Sequence, residues 1–376
     1  MSRKRVARRF AVPIALTAGV ITIAAGAGVV MAAGASDLPK RTAAQLLTAV
    51  ETSDVKGLSG TVVQNADLGL PSMDGTGGTL SSIASGTHQM RVWYGSPDKA
   101  RIAMLDDYGE TDAIRNGEDL WQWNSKESKA VHTTLPKKLA DMPMWPPTAI
   151  TAEASSPQKL AERALKDIAP TTKVSVGDPV EVAGRDAYQL VLRPKDDSAL
   201  VSSINLAIDG ETGVPLRTQI YGTNVDKPAF DVAFSRISFS TPDKENFTFT
   251  PPKGVKVKEE KSDWPKAKHH ADGKHPKADV KTVGDGWATV WQTHIDVKKA
   301  LSDAKKDGKG SHAKSHGKSD GFDPSAMLGS LPKVHGDWGS GHLFKSALVN
   351  ALITDDGRIL VGSVTPQRLY EVAAHK

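Results

Sequence analysis

Between residues 87 and 257, runs of alternating apolar and polar residues are cut, time after time, by short turn-forming stretches. Period-two alternation puts every second side chain on the same face of a strand. A short turn between two such runs brings the second back antiparallel to the first. "HQMRVWYGSPDKARIAMLDD" reads as two strands joined by Gly95-Ser96-Pro97-Asp98, with Ala100, Ile102 and Met104 on one face of the second. "TDAIRNGEDLWQWNSKESKAVHTTL" turns at Asn116-Gly117, after which Trp121 and Trp123 point the same way. "VEVAGRDAYQLVLRP" is a hairpin about Gly184, and "SINLAIDGETGVPLRTQIYG" returns through a Gly-rich turn. "AFDVAFSRISFS" sets Phe230, Val232 and Phe234 on one face. Such a chain is predicted to form a curled antiparallel sheet with helices on one side.

The helices are few. In "TAAQLLTAVETSDV", Thr42 is a cap and Ala43, Leu47 and Val50 form a stripe beside Leu46. "SPQKLAERALKDIAP" has Ser156 as cap, Pro157 at its first position and Pro170 as terminator. Residues 66–86 have loop composition but carry Leu68, Leu70, Met73, Leu80 and Ile83, so a partly buried loop is predicted. "ENFTFTPPKGVKV", residues 245–257, alternates Phe247 and Phe249 with threonine. It reads as a terminal edge strand ended by Pro251-Pro252, since proline cannot donate to a ladder. After a turn at Gly254, Val255 to Lys258 alternates again.

Residues 40–257 are therefore expected to form one domain, and residues 258–281, rich in Lys and His, a linker. A small α+β domain over 282–376 is predicted to follow, with a flexible insert at 305–321. In it "GDGWATVWQTHID" reads as a strand and "VKKALSDAKKD" as a helix. "SALVNALITDDGRILVGSVTPQRLYEVAA" reads as a hairpin about Asp356-Gly357, then a helix capped by Thr365 with Pro366 at its first position.

The first residues, "MSRKRVARRF", are basic, and Phe10 to Ala33 is apolar. Ala33-Gly34-Ala35 has the form of a signal-peptidase site. Cleavage after Ala35, or anchoring through residues 10–33, is expected. Either places the remainder outside the cytoplasm. The formal charge of +5 is carried by Arg3, Lys4, Arg5, Arg8 and Arg9, which leaves residues 36–376 neutral. A neutral chain offers no general electrostatic reason to bind nucleic acid. The 376 residues contain no cysteine, which excludes disulfides, thiol nucleophiles and thiolate metal sites.

No catalytic constellation is legible. Neither G-x-S-x-G nor H-E-x-x-H occurs. His269, His270, His275, His312 and His316 lie in lysine-rich stretches without ligand spacing, so neither a metal nor a cofactor is expected. The chain is read as no enzyme. The apolar face assigned to Ala100, Ile102, Met104, Trp121, Trp123 and Phe234 is open to two readings, a ligand surface or a filled core.

"MRVWYGSPDKARIAML", "IRNGEDLWQWN" and "NFTFTPPKGVKV" carry, in order, W-x-x-x-P, N-G-x-x-L-W and F-x-F-x-P-P-x-G-V patterns. In these motifs residues 40–258 resemble the LolA-like periplasmic lipoprotein carriers. The resemblance implies a mainly β, α+β fold: an unclosed antiparallel β-barrel with a helical lid, completed by the Phe-Thr strand. It also implies that an apolar concave face takes up an acyl chain or the lipid part of a lipoprotein. That favours the ligand reading of Ala100, Ile102, Met104, Trp121, Trp123 and Phe234. Where these carriers place a ligand-handling arginine before the proline of the first hairpin, this chain has Ser96. "DGWATVWQT" and "RILVGSVTPQRLYEVA" are similar to the small C-terminal domain of periplasmic regulators of an anti-sigma factor. The resemblances imply a carrier partnered by a lipoprotein exporter or, alternatively, an envelope-stress regulator that binds an anti-sigma factor with lipid as signal.

Overall fold

The computed structural model describes residues 38–69, 85–106, 109–137, 157–223, 225–261, 280–294 and 328–375. The expected export segment, most of the linker, most of the loop at 66–86, the helix "VKKALSDAKKD" and the insert at 305–321 lie outside the described residues.

The chain opens with helix α1 (Ala43–Glu51). Thr42 caps it by accepting from the Gln45 amide at 3.2 Å, while the Gln45 side chain accepts from the Thr42 amide at 2.8 Å. Strands β1 (Leu58–Asp67), β2 (Ser85–Ser96), β3 (Lys99–Asp106), β4 (Gly109–Asn116), β5 (Asp119–Asn124) and β6 (Lys129–Thr134) follow. Helix α2 (Pro157–Ile168) stops just before Pro170. Then come β7 (Thr172–Val176), β8 (Val180–Val182), β9 (Arg185–Pro194), β10 (Val201–Asp209), β11 (Pro215–Gly222) and β12 (Pro228–Ser238). A single 3-10 turn, Lys244–Phe247, precedes β13 (Lys256–Lys261).

These 13 strands form one sheet in the order β13-β6-β5-β4-β3-β2-β1-β12-β11-β10-β9-β7, with β8 beside β9. Neighbours are antiparallel except β13, which runs parallel to β6. The end strands β13 and β7 do not pair, so the sheet curls without closing. The expected unclosed, mainly β architecture with covering helices is what forms.

The Phe-Thr run is a correction. It makes no strand: Phe247 ends the 3-10 turn, and Thr248 to Val255 crosses unpaired. Prolines 251 and 252 cannot join a ladder, and both rings gain more by burial on the sheet face. Phe247 is 3% exposed and lies where Gly95 leaves room: a Cβ there would come within 2.9 Å of its ring. The strand that occupies the edge is the next one, β13, which takes in residues 258–261 from the predicted linker.

One face of the sheet carries Tyr188, Leu190 and Ile208, which pack with Leu46, Leu47 and Val50 of α1. The approach is close because of the β10–β11 turn. Gly213 there has φ +73°, and a Cβ would run into the Ala49 carbonyl oxygen of α1. The turn is held from beneath by Asp209, fully buried, which accepts from the Thr212 amide at 2.7 Å, the Thr212 hydroxyl at 2.8 Å and Arg185 at 2.5 Å. Burial alone would raise its pKa, but the hydrogen bonds from Arg185 and Thr212 hold it below the usual carboxylate range.

The second sheet has the order β14 (Lys281–Val283), β15 (Val290–His294), β19 (Arg358–Gly362), β18 (Asn350–Thr354), β17 (Gly339–Lys345) and β16 (Lys333–Gly336). Helix α3 (Pro366–Ala374) buries Leu369, Val372 and Ala373 against Val290, Leu343, Leu352 and Leu360. Each sheet thus has its own core, and the two meet through polar contacts. The Thr365 amide donates to Ser198 O at 2.7 Å, Leu200 N to Ser363 O at 2.9 Å and Ala347 N to Leu68 O at 2.7 Å. The Trp287 indole donates to the Thr172 hydroxyl at 2.8 Å.

Two glycines separate conformational strain from crowding. Gly117 has φ +66° with nothing within 4 Å of a Cβ, whereas Gly213 is both left-handed and crowded. Gly117→Ala is expected to cost about 1–2 kcal/mol. Gly213→Ala should cost that plus about 1–3 kcal/mol of overpacking against α1. Urea denaturation of both variants measures the difference, and equal losses would mean that α1 yields.

Candidate functional site

Cross-strand partners share a face, so the register assigns each predicted site residue. The row Phe234–Val62–Met90–Met104 crosses β12, β1, β2 and β3. The next row, Leu190–Leu206–Thr218–Val232–Gln64, runs from beneath α1 to β1. Met104 and Phe234 therefore lie on the face that α1 covers, here called the inner face. Ala100 and Ile102 alternate with Met104 along β3 and share it.

The tryptophans do not. Trp121 pairs with Ile114, which pairs with Arg101, and Trp123 pairs with Asp112, which pairs with Ala103. Both therefore stand on the outer face, opposite Ala100, Ile102 and Met104. The single apolar face expected from the sequence is in fact two surfaces. The reason is register: even-numbered residues of β3 align with even-numbered residues of β5, and both tryptophans are odd-numbered.

The outer surface is aromatic and partly covered, with Trp93, Trp121 and Trp123 each half-buried. Phe249 packs on Trp121 and Trp123 at 5.3 and 5.9 Å between ring centroids. His132 stacks on Trp121 at 4.3 Å. Arg101 sits 5.2 Å over the Trp93 ring and bonds Asp112 at 2.7 Å and Glu110 at 3.3 Å. Asp112 is buried, and its Oδ1 finds no hydrogen-bond partner, nor does Arg101 Nε. Burial raises the Asp112 pKa from the ordinary 3.8 to about 6, against the opposing pull of Arg101.

On the inner face the central residues are filled in: Val62 and Phe234 are buried and Met90 is fully so. Phe234 lies against Gly60, where a Cβ would meet its ring at 2.9 Å, and belongs to the packed core with Leu58 and Leu216. Toward β4 and β5 the face loosens. Ala100 is buried, whereas Ile102, Met104, Ala113 and Leu120 are only partly so. This strip offers apolar contact around one buried cation, Arg115, which pairs with both Ala100 and Leu120. Burying an acyl chain there needs no catalytic group, since each methylene removed from water is worth about 0.8 kcal/mol. Ser96 ends β2 opposite Lys99, and its hydroxyl donates to Asp98 in the turn at 2.5 Å.

Met90, Ala113 and Leu120 were missed in the sequence, as were His132 and the Arg101–Asp112 pair. Counting outward from the Asn116-Gly117 turn would have found Ala113 and Leu120, because the two-residue loop pairs Asn116 with Asp119 and so fixes the later β4–β5 partners, whereas Met90, Arg101 and His132 lie on other strands. Among the described residues no group of three or more His, Asp or Glu is placed to hold a metal ion.

No family model matches the chain, and no curated protein matches it. Solved structures overlap it loosely. MucB in complex with MucA(peri) is 15% identical with a TM-score of 0.42, over 88% of this chain and 97% of that one. The Pseudomonas aeruginosa MucA/MucB complex gives 14% and 0.41, over 88% and 96%. The LolA superfamily protein NE2245 from Nitrosomonas europaea gives 11% and 0.22, over 56% and 99%. Overlaps at these scores leave the site to be read from the chain's own residues.

The buried carboxyl makes a pH test. The folded chain keeps the Asp112 proton up to about pH 6, whereas the unfolded chain releases it near 3.8. The stability this contributes is full below about pH 4 and is lost as pH rises through 6. Asp112→Asn is expected to abolish that decline, on the order of 1–3 kcal/mol. Thermal melts of both proteins from pH 4 to 7 check it.

Proposed function

We propose that this chain is an extracytoplasmic, non-enzymatic binding protein of the cell envelope. It holds an acyl chain on the inner face along Ala100, Ile102 and Met104 and binds a membrane protein partner, an anti-sigma factor by the sequence resemblance, with lipid as the signal. The observation that carries it is the joining of two units with separate cores. The loosened apolar strip lies in one, and the other is fastened to the first by backbone hydrogen bonds at Ser198, Leu200 and Leu68. A lipoprotein carrier alone needs no second unit. Controlled hand-over of cargo is disfavoured too, because the residue at the carriers' arginine position, Ser96, is tied to Asp98. Residues 258–281, apart from those in β13 and β14, are read as the tether between two domains, and residues 1–35 as the export signal or anchor.

Charge on the strip separates this reading from a filled core. In an open strip the carboxylate of Ile102→Asp or Met104→Asp stays hydrated while acyl burial is lost. Each variant is expected to fold and to bind a fluorescent fatty acid about tenfold more weakly. Trp123→Ala, on the outer face, should cost about 3 kcal/mol of stability and leave binding unchanged. Displacement titrations and melts measure both, with mass spectrometry of an organic extract of the purified protein to name the lipid. No fatty-acid binding by the wild type, with both charged variants unfolded, would return the strip to ordinary core.

A further inference from the structure

Strand β13 is held to the large sheet in an unusual way. Lys256, Val257, Lys258, Glu259 and Glu260 are all exposed, so the strand packs no side chain of theirs into a core. Among the described residues its attachment is the parallel ladder to β6 and a side-chain hydrogen bond between Glu259 and His132. His132 Nδ1 lies 2.8 Å from Glu259, and its Nε2 lies 2.9 Å from Asp119 of β5. Both ring nitrogens thus face a carboxylate. A neutral imidazole has one N–H and can satisfy only one of them; the imidazolium satisfies both. Trp121, stacked on the ring, carries no charge, and Lys258 is turned to its own neighbour Glu260 at 2.5 Å.

We propose that β13 is a pH-sensitive strap, fastened to β6 by doubly protonated His132 and loosened when the ring loses a proton. Loss of the proton leaves a lone pair facing Glu259 or Asp119. Asp119 is fixed by the β4–β5 hairpin, so the strand without buried side chains is the one that gives way. Burial draws the His132 pKa down, but the bonds to Asp119 and Glu259 outweigh it and the net shift is upward. The fastening is therefore complete below the ordinary histidine value of about 6.5 and is lost as pH rises through the raised one. The strap is the last strand before residues 262–279. Freeing its six residues would lengthen the path to the second sheet by up to about 20 Å.

Hydrogen exchange of the full chain at pH 6.0 and 8.5, each referenced to the unfolded chain at the same pH, tests this. In the wild type, protection of Lys256–Lys261 is expected to fall roughly threefold or more between the two pH values. In His132→Gln and in Glu259→Gln it should be the same at both, with β4 and β5 unchanged throughout. Glu259 is exposed, so Glu259→Gln leaves the fold intact even if His132→Gln does not. A pH-independent wild type, or a fall that persists in Glu259→Gln, would overturn the proposal.

Discussion

A strand has two faces and no choice about which residue takes which. That alternation governs the large sheet, because each of its 13 strands passes its parity to the next through the ladder. A slip of one residue anywhere would exchange the helix-covered surface for the aromatic one. The turns prevent it. Asp209, bonded by Arg185 and by Thr212, sets the β10–β11 turn, and the same turn offers α1 a glycine to close upon. Local turn chemistry and the placing of the helix over the inner face are therefore one constraint.

The two faces are buried by different means. α1 covers the inner face over β9 and β10 with aliphatic side chains, and α2 rests on α1, where Gln158 accepts from the Thr48 hydroxyl at 2.9 Å. The outer face over β2 to β6 is covered by the chain that follows β12, through Phe247 and Phe249. Aromatic rings are economical for this: two of them screen a buried ion pair and two tryptophans without a ladder of their own. The Arg101–Asp112 pair beneath is not a stabilising device by default, since removing two charges from water costs about as much as their attraction returns.

Much of this architecture was legible. Hairpins announce themselves through dipeptides such as Asn116-Gly117, and helix starts through Thr42 and Pro366, because those signals are local. Thr365 stands at the expected cap position, yet its side chain makes no capping hydrogen bond; its amide reaches Ser198 across the junction between the sheets. What could not be read from pattern alone was anything decided by partners distant in sequence. Phe247 and Phe249 alternate with threonine as strand residues do, yet an extended crossing segment shows the same period. The division of Met104 from Trp123 needed the register of three strands, which no single segment contains.

The separation of the faces has an optical consequence. Trp93, Trp121 and Trp123 all stand on the outer surface, with the sheet between them and Met104. Their emission is set by Arg101 and His132 of the sheet and by Phe249 of the covering segment. Quenching of these three indoles would therefore report the state of the cover, and a molecule seated on the inner face would leave their spectrum dark to its arrival.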